Sequence, residues 1–415
     1  MAYDVAAFRA LFPALADGTA FFDGPGGTQT PTPVAGAIAR TLTAGLSNRA
    51  TIYAAGRNAE DAVTAGRTAM ADLLGADPAG IVFGRSMTQL TFDLARTLAQ
   101  GTDDLPPWGP GDEIVVSRLD HDANIRPWVT AADRAGATVR WVDFDPTTGD
   151  LTPDHVAAQV TTATRVVALT AAGNILGTRP DLPAAAQIAH DHDALFVVDG
   201  VHATAHVPTD VEAEGADVWL CSPYKFLGPH CGVLAAAPTL LETLHPDKLL
   251  PSPDVVPERF ELGTLPYEFM AGTAAAVEVL ARLGDTDTSP GRPGEVSPGR
   301  DRVLAGMAAV HEHEEPLLAR IEDGLARLGA TVYSRAERRT PTLLFQLPGI
   351  PDADVMTGLA ERGVNAPASH FYALECSRHL GLGDTGAVRV GLAPYTDDAD
   401  VDALLAGLAD IAGGA

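Results

Sequence analysis

Cysteine is scarce in this chain: Cys221, Cys231 and Cys376 are the only three in 415 residues. Three thiols cannot staple a protein of this length, so a secreted disulfide scaffold is excluded. Basic residues are scarce too, with 28 lysines and arginines against 54 aspartates and glutamates and a formal net charge of −26. Nucleic acids and anionic membranes are polyanions, and a chain this acidic is a poor partner for either. No uninterrupted apolar run approaches the roughly 20 residues that a membrane-spanning helix needs. The opening "MAYDVAAFRALFPALADG" has Asp4 but no basic leader and no long apolar core, so the sequence predicts no signal peptide and a soluble, cytoplasmic protein. A Walker loop and a GxSxG elbow are both missing, which leaves nucleotide hydrolysis and serine-hydrolase chemistry unsupported. "HDHD" at 190–193 and "HEHEE" at 311–315 look like metal clusters, but residues two apart on a helix face different ways, so no metal site is expected.

What the chain does have is a large apolar fraction, 46%, enough for two domains. From about residue 60 to 240, short apolar runs alternate with helical periodicity, which predicts an α/β protein with a largely parallel sheet. "GIVFGRS", "DEIVVSRLDHDAN", "TVRWVDFD", "TRVVALTAAGN", "ALFVVDG" and "DVWLCS" read as strands that end in small or polar residues. Met87, Leu90, Leu94 and Leu98 share a face of the helix after the first of them. We divide the chain into a segment 1–20 packing with a small domain, a large domain 21–268, and a small α+β C-terminal domain 269–415. The stretch "DTDTSPGRPGEVSPGRD", about 284–300, reads as a mobile loop.

One lysine is out of keeping with its surroundings. "GADVWL" is apolar and partly β-branched, and the "CSPYKFLGPHCG" that follows sets Lys225 where a strand leaves a hydrophobic sheet. An ammonium is costly there unless it is paired, neutralised or chemically used. Ligands in such sheets bind beyond the carboxyl ends of the strands, and the other strand ends carry polar groups. Asp199 closes "ALFVVDG", with His202 three residues on; Asn174 lies in "AAGNILG" and His121 in "LDHDAN"; Ser86 and Thr88 open a helix; Ser222 precedes Lys225 by three. These are the parts of a pyridoxal 5′-phosphate (PLP) site. A lysine bonds the aldehyde, a carboxylate keeps the pyridine nitrogen protonated, a flat ring covers one face, and hydroxyls with helix-start amides take the phosphate.

The series "RSMTQ", "DHDAN", "GNILG", "VDGVHA", "SPYKFLGP", "RFELGT" and "VRVGLAPY" resembles, in order, the class V aminotransferase superfamily of PLP fold type I. Within it the chain looks most like the cysteine desulfurases and their relatives, from "FFDGPGGTQTP" to the last strand. The resemblance implies that Lys225 is the Schiff-base lysine and Asp199 the partner of the pyridine nitrogen. It implies that His202 and Asn174 meet the ring oxygen region, and that His121 stacks on the ring and takes part in acid–base steps. Ser86, Met87, Thr88 and Ser222 match the phosphate cup, and Tyr224 replaces a histidine that touches the phosphate. Thr264 matches a threonine lent to the neighbouring subunit's phosphate, which implies a homodimer with shared sites. Arg389 matches the clamp for the substrate α-carboxylate, a two-pronged task that suits guanidinium.

One departure bears on the reaction. The desulfurase loop that carries the catalytic cysteine has a pattern like Gly-His-His-Cys-Ala, whereas this chain has "ASHFYALEC". Phe371 or Tyr372 falls at the cysteine's place, and Cys376 lies a few residues on, at the start of the next helix. The favoured expectation is therefore a PLP-dependent C–S lyase that acts on a small α-amino acid by β-elimination. Arg389 and Asn174 would hold the substrate, with Tyr372 or His370 supplying a proton to the leaving group. A class V aminotransferase or epimerase, a true desulfurase using Cys376, and a PLP-binding protein without turnover are the alternatives.

Overall fold

A computed structural model describes residues 3–102, 105–284 and 297–414. Most of the loop expected at about 284–300 lies outside the described residues. The core is a seven-stranded sheet, ordered Ile81–Gly84, Gly232–Ala236, Val218–Cys221, Leu195–Asp199, Thr164–Thr170, Glu113–Ser117, Thr138–Val142. All neighbouring pairs are parallel except those of Gly232–Ala236, which runs antiparallel to both its neighbours. The fold is thus α/β with a mostly parallel sheet. Apart from the edge strand Thr138–Val142, its strands are almost wholly buried and several are rich in valine, as expected where helices cover both faces.

On one face lie the helices Met87–Gln100 and Arg126–Ala135, burying Leu90, Leu94, Leu98 and Trp128 against Val116, Val197 and Leu220. On the other lie Ala54–Leu74, Leu182–His190 and Tyr267–Ala281, with Met70, Ala186 and Val277 in the opposite core. Because side chains alternate along each strand, one strand feeds both cores: Val197 belongs to the first, Phe196 and Val198 to the second.

The helix Arg300–Arg327 connects this layer to a smaller one. Its first half buries Val303, Met307 and Val310 in the large core, and its second half buries Leu317, Ile321 and Leu325 in a separate cluster. That cluster is completed by the helices Asp352–Ala360 and Asp398–Gly413 and by a four-stranded antiparallel sheet, ordered Ala368–Ser369, Ala387–Gly391, Thr342–Gln346, Thr331–Val332. The N-terminal strand Ala20–Phe21 pairs with Val364–Asn365 beside it, and Arg9 forms ion pairs with Asp397 and Asp400. No helix among the described residues is long and apolar enough to cross a membrane.

Candidate active site

The carboxyl ends of the parallel strands and the edge of the small sheet enclose a cavity of about 690 Å³. Lys225, Asp199, His202, Asn174, His121, Ser86, Met87, Thr88, Ser222, Tyr224, Tyr372 and Arg389 all line it. Thr264 and His370 do not: Thr264 lies in an exposed loop, and the His370 ring is turned edge-on to Tyr372 with centroids 6.4 Å apart.

Lys225 sits in a single helical turn, Pro223–Lys225, directly after the strand Val218–Cys221. Its ammonium donates to the carbonyl of Pro25 and lies 4.9 Å from the centre of the Tyr224 ring. Burial and the nearby Arg389 guanidinium push its pKa down to about 7, against the opposing pull of Asp23 and Asp199. Asp199 ends the next strand and is 4% exposed. Burial lifts its pKa to about 6, although the Val201 amide, 2.9 Å from Oδ1, and Lys225 both favour the ionised form.

His121 caps the turn that follows the strand Glu113–Ser117, where its Nδ1 accepts the Ala123 amide at 3.0 Å. Burial and Lys225 hold its pKa down to about 4, so the ring is neutral and its one proton is on Nε2. The Tyr372 ring covers it at 5.6 Å and 30°. Phe371 and Tyr372 both adopt left-handed backbone, φ 49° and 58°, which a non-glycine residue holds only when its surroundings insist. Asn174 Nδ2 donates to the Phe371 carbonyl at 2.9 Å, and the Asp122 amide donates to the Tyr372 carbonyl at 2.7 Å. A Cβ on Gly386 would strike the backbone of Ser369 and His370, so the small sheet also presses on this turn.

Arg389 is 2% exposed, on the central strand Ala387–Gly391 of the small sheet. It pairs with Asp23, donates to the Asn174 carbonyl at 3.1 Å, and its guanidinium carbon lies over the Phe371 ring, 3.7 Å from the centre. Opposite, Ser86 caps the helix Met87–Gln100 by accepting the Gln89 amide at 3.1 Å. The first-turn amides of Met87 and Thr88 have no acceptor within the helix and carry its positive end. Gly232 allows this helix start to abut the sheet, because a Cβ there would run into the backbone of Ser86 and Met87.

Three features escaped the sequence reading. Asp23 ends the short N-terminal strand region and supplies the counter-charge to Arg389; an acidic residue ahead of "GPGG" was the available signal. Asp120 is fully buried beside the site, held by Ser117 and by Asn124 at 2.7 Å, with burial raising its pKa to about 8. Thr340 and Thr342 each place a hydroxyl 2.9 Å from His202 Nε2. Cys376, in the helix Leu374–His379, is fully buried in the large core; it does not line the cavity, and burial pushes its thiol pKa well up.

The arrangement is that of a PLP enzyme of fold type I. A class V aminotransferase family model matches residues 20–284 and 303–404, and the chain belongs to that family. It is 31% identical to an uncharacterized protein of Mycobacterium tuberculosis over 99% of this chain and 100% of that one. It is 30% identical to the cysteine desulfurase CsdA of Escherichia coli over 97% of this chain and 96% of the other. The crystal structure of CsdA in its S-sulfonic acid form superposes with a TM-score of 0.83, 29% identity and 99% coverage of both chains. The fold also matches a cysteine desulfurase from Thermococcus onnurineus, with a TM-score of 0.87 at 23% identity, covering 100% and 99% of the two chains.

The protein is thus a cysteine desulfurase-like, PLP-dependent enzyme, and the residues present fit the cofactor. His202 Nδ1, Asn174 Oδ1 and Arg389 Nε are buried polar atoms without a protein partner, all in residues that line the cavity. Orphaned groups of this kind are expensive unless a ligand completes them.

Proposed function

We propose that the protein is a C–S lyase that removes a sulfur leaving group from a small α-amino acid by β-elimination. Lys225 would bond the cofactor's aldehyde carbon, Asp199 would pair with its pyridine nitrogen, and His121 would cover its ring. Ser222, Tyr224, Ser86, Thr88 and the helix-start amides would take its phosphate. The bound cofactor supplies an electron sink for the pair released when a bond to the substrate Cα breaks.

The chain's own groups then supply the rest. Arg389 presents a buried guanidinium to the substrate carboxylate, held by Phe371 and the Asn174 carbonyl. Lys225, with a pKa near 7, can hold or release a proton at neutral pH, which suits it to take the Cα proton. Loss of that proton drives out the Cβ–S bond; sulfur leaves as thiolate, and the C3 fragment ends as pyruvate and ammonia after hydrolysis. Tyr372, exposed beside His121, is the donor we assign to the leaving sulfur. His121 keeps its proton on Nε2 and gives the cofactor face a neutral, flat cover.

The observation that carries this reading over persulfide transfer is the thiol inventory. No cysteine is among the residues lining the cavity, and Cys376 is buried with a raised pKa, the opposite of a reactive thiolate. We also propose a homodimer. Thr264 lies in a loop with exposed Leu262, and Leu249, Leu250 and Val255 in the preceding segment are exposed as well, apolar surface that a second copy would cover. Product analysis on L-cysteine and on S-substituted cysteines tests the reaction: pyruvate with sulfide or thiol is expected, and alanine would refute β-elimination.

A further inference from the structure

The two ring nitrogens of His202 keep different company. Nε2 lies 2.9 Å from the hydroxyl of Thr340 and 2.9 Å from that of Thr342, whereas Nδ1 is buried with no protein partner in a residue that lines the cavity. Burial, with His206, Lys225 and Arg389 close by, holds the imidazole well below its usual pKa, so it is neutral and carries one proton.

The hydroxyls decide which nitrogen has that proton. Thr342 is fully buried, and its hydroxyl has no other hydrogen-bond partner among the described residues. A buried O–H without an acceptor is costly, so Thr342 donates to Nε2. Thr340 has a second acceptor, the Gly177 carbonyl at 3.4 Å, and is not forced onto the imidazole. An accepting Nε2 bears no proton, which leaves the proton on Nδ1, the nitrogen without a protein partner.

We propose that Thr342 is a positioning residue that fixes His202 as its Nδ1–H tautomer and so makes it a hydrogen-bond donor to the bound cofactor. This rests on the PLP reading above and extends it. Thr342 opens the strand Thr342–Gln346 of the small sheet, whereas His202 follows the strand Leu195–Asp199 of the large one. The proton that meets the cofactor is therefore set from across the boundary between the two sheets. A donor at this place favours the cofactor form whose ring oxygen is an unprotonated acceptor. Behind His202, the His206 ring packs edge-on at 4.9 Å and meets the buried Glu314 at 3.0 Å, so the imidazole has little freedom to turn.

Two measurements test this. The first compares PLP retention and the absorption maximum of the wild-type holoenzyme with those of Thr342→Val and Thr342→Ser. Valine frees Nε2 to take the proton and turns Nδ1 into an acceptor. PLP affinity is expected to fall about tenfold, as for a lost hydrogen bond, and the absorption maximum to shift, with serine restoring both. The second is 15N NMR of the histidine-labelled wild-type holoenzyme, which needs no variant to fold; His202 is expected to show a protonated Nδ1 and a bare Nε2. A bare Nδ1, or a valine variant with wild-type affinity and spectrum, would overturn the proposal. A wild-type protein that takes up no PLP would overturn the cofactor reading itself, and this inference with it.

Discussion

Replacing Arg389 with lysine keeps the charge and removes the shape. The guanidinium is held by Asp23, by the Asn174 carbonyl at 3.1 Å and by the Phe371 face at 3.7 Å. A lysine ammonium can keep one of these partners but not the fork. One charge-assisted hydrogen bond is worth about 1.5–3 kcal/mol, and a desolvated cation–π contact about 2 kcal/mol. The Phe371 contact is internal to the protein and acts only by holding the guanidinium in place, so the loss in substrate binding is that of one prong of the fork, about 1.5–3 kcal/mol or roughly 10- to 150-fold. A clamp that grips the carboxylate alike before and during reaction puts its loss into KM, with kcat little changed. The assay compares kcat/KM for the amino acid with that for its decarboxylated amine in both proteins. The preference for the amino acid should collapse by that factor in Arg389→Lys. An unchanged preference would refute the assignment of Arg389 as the carboxylate clamp.

The remaining expectations concern titration and thiols. Asp120, with its pKa raised to about 8, favours folding below its unfolded value near 3.8, and that contribution is lost as pH rises through 8. Asp120→Asn should therefore remove a fall in Tm between about pH 4 and 8 while matching wild-type stability near the acid end; an unchanged pH profile would contradict a neutral Asp120. Lys225 near pKa 7 predicts that PLP uptake by the cofactor-free protein speeds up through pH 7 and levels off above it; a rate still climbing through pH 9–10 would show an ordinary lysine. Iodoacetamide should leave native Cys376 unmodified, and Cys376→Ala should cost roughly 1–2 kcal/mol of stability with turnover kept. Loss of sulfur chemistry in a folded alanine variant would make Cys376 a participant.

Much of this site is legible in the sequence, because a parallel sheet delivers its strand ends to one edge. Apolar runs that stop at Asp199, Ser117 and Cys221 locate the sheet, and the polar residues just past them fall into one cavity. What could not be read depends on contacts between distant segments. Asp23 and Arg389 are 366 positions apart, and only the small sheet brings them together. The left-handed backbone at Phe371 and Tyr372 leaves no trace in composition, since neither is glycine; carbonyl contacts to Asn174 and Asp122 impose it. The direction in which the Cys376 thiol points is another feature that local sequence does not carry. Glu375 and Arg378 form ion pairs with Arg118 and Asp384, while the thiol between them is buried in the core.

The central claim is that PLP chemistry proceeds here without a cysteine nucleophile. The most direct measurement is sulfide release from L-cysteine by the PLP-loaded protein, with the carbon product identified. Sulfide with pyruvate in equal amounts is the predicted result. Sulfide with alanine would contradict the account, because it requires a thiol to accept the sulfur.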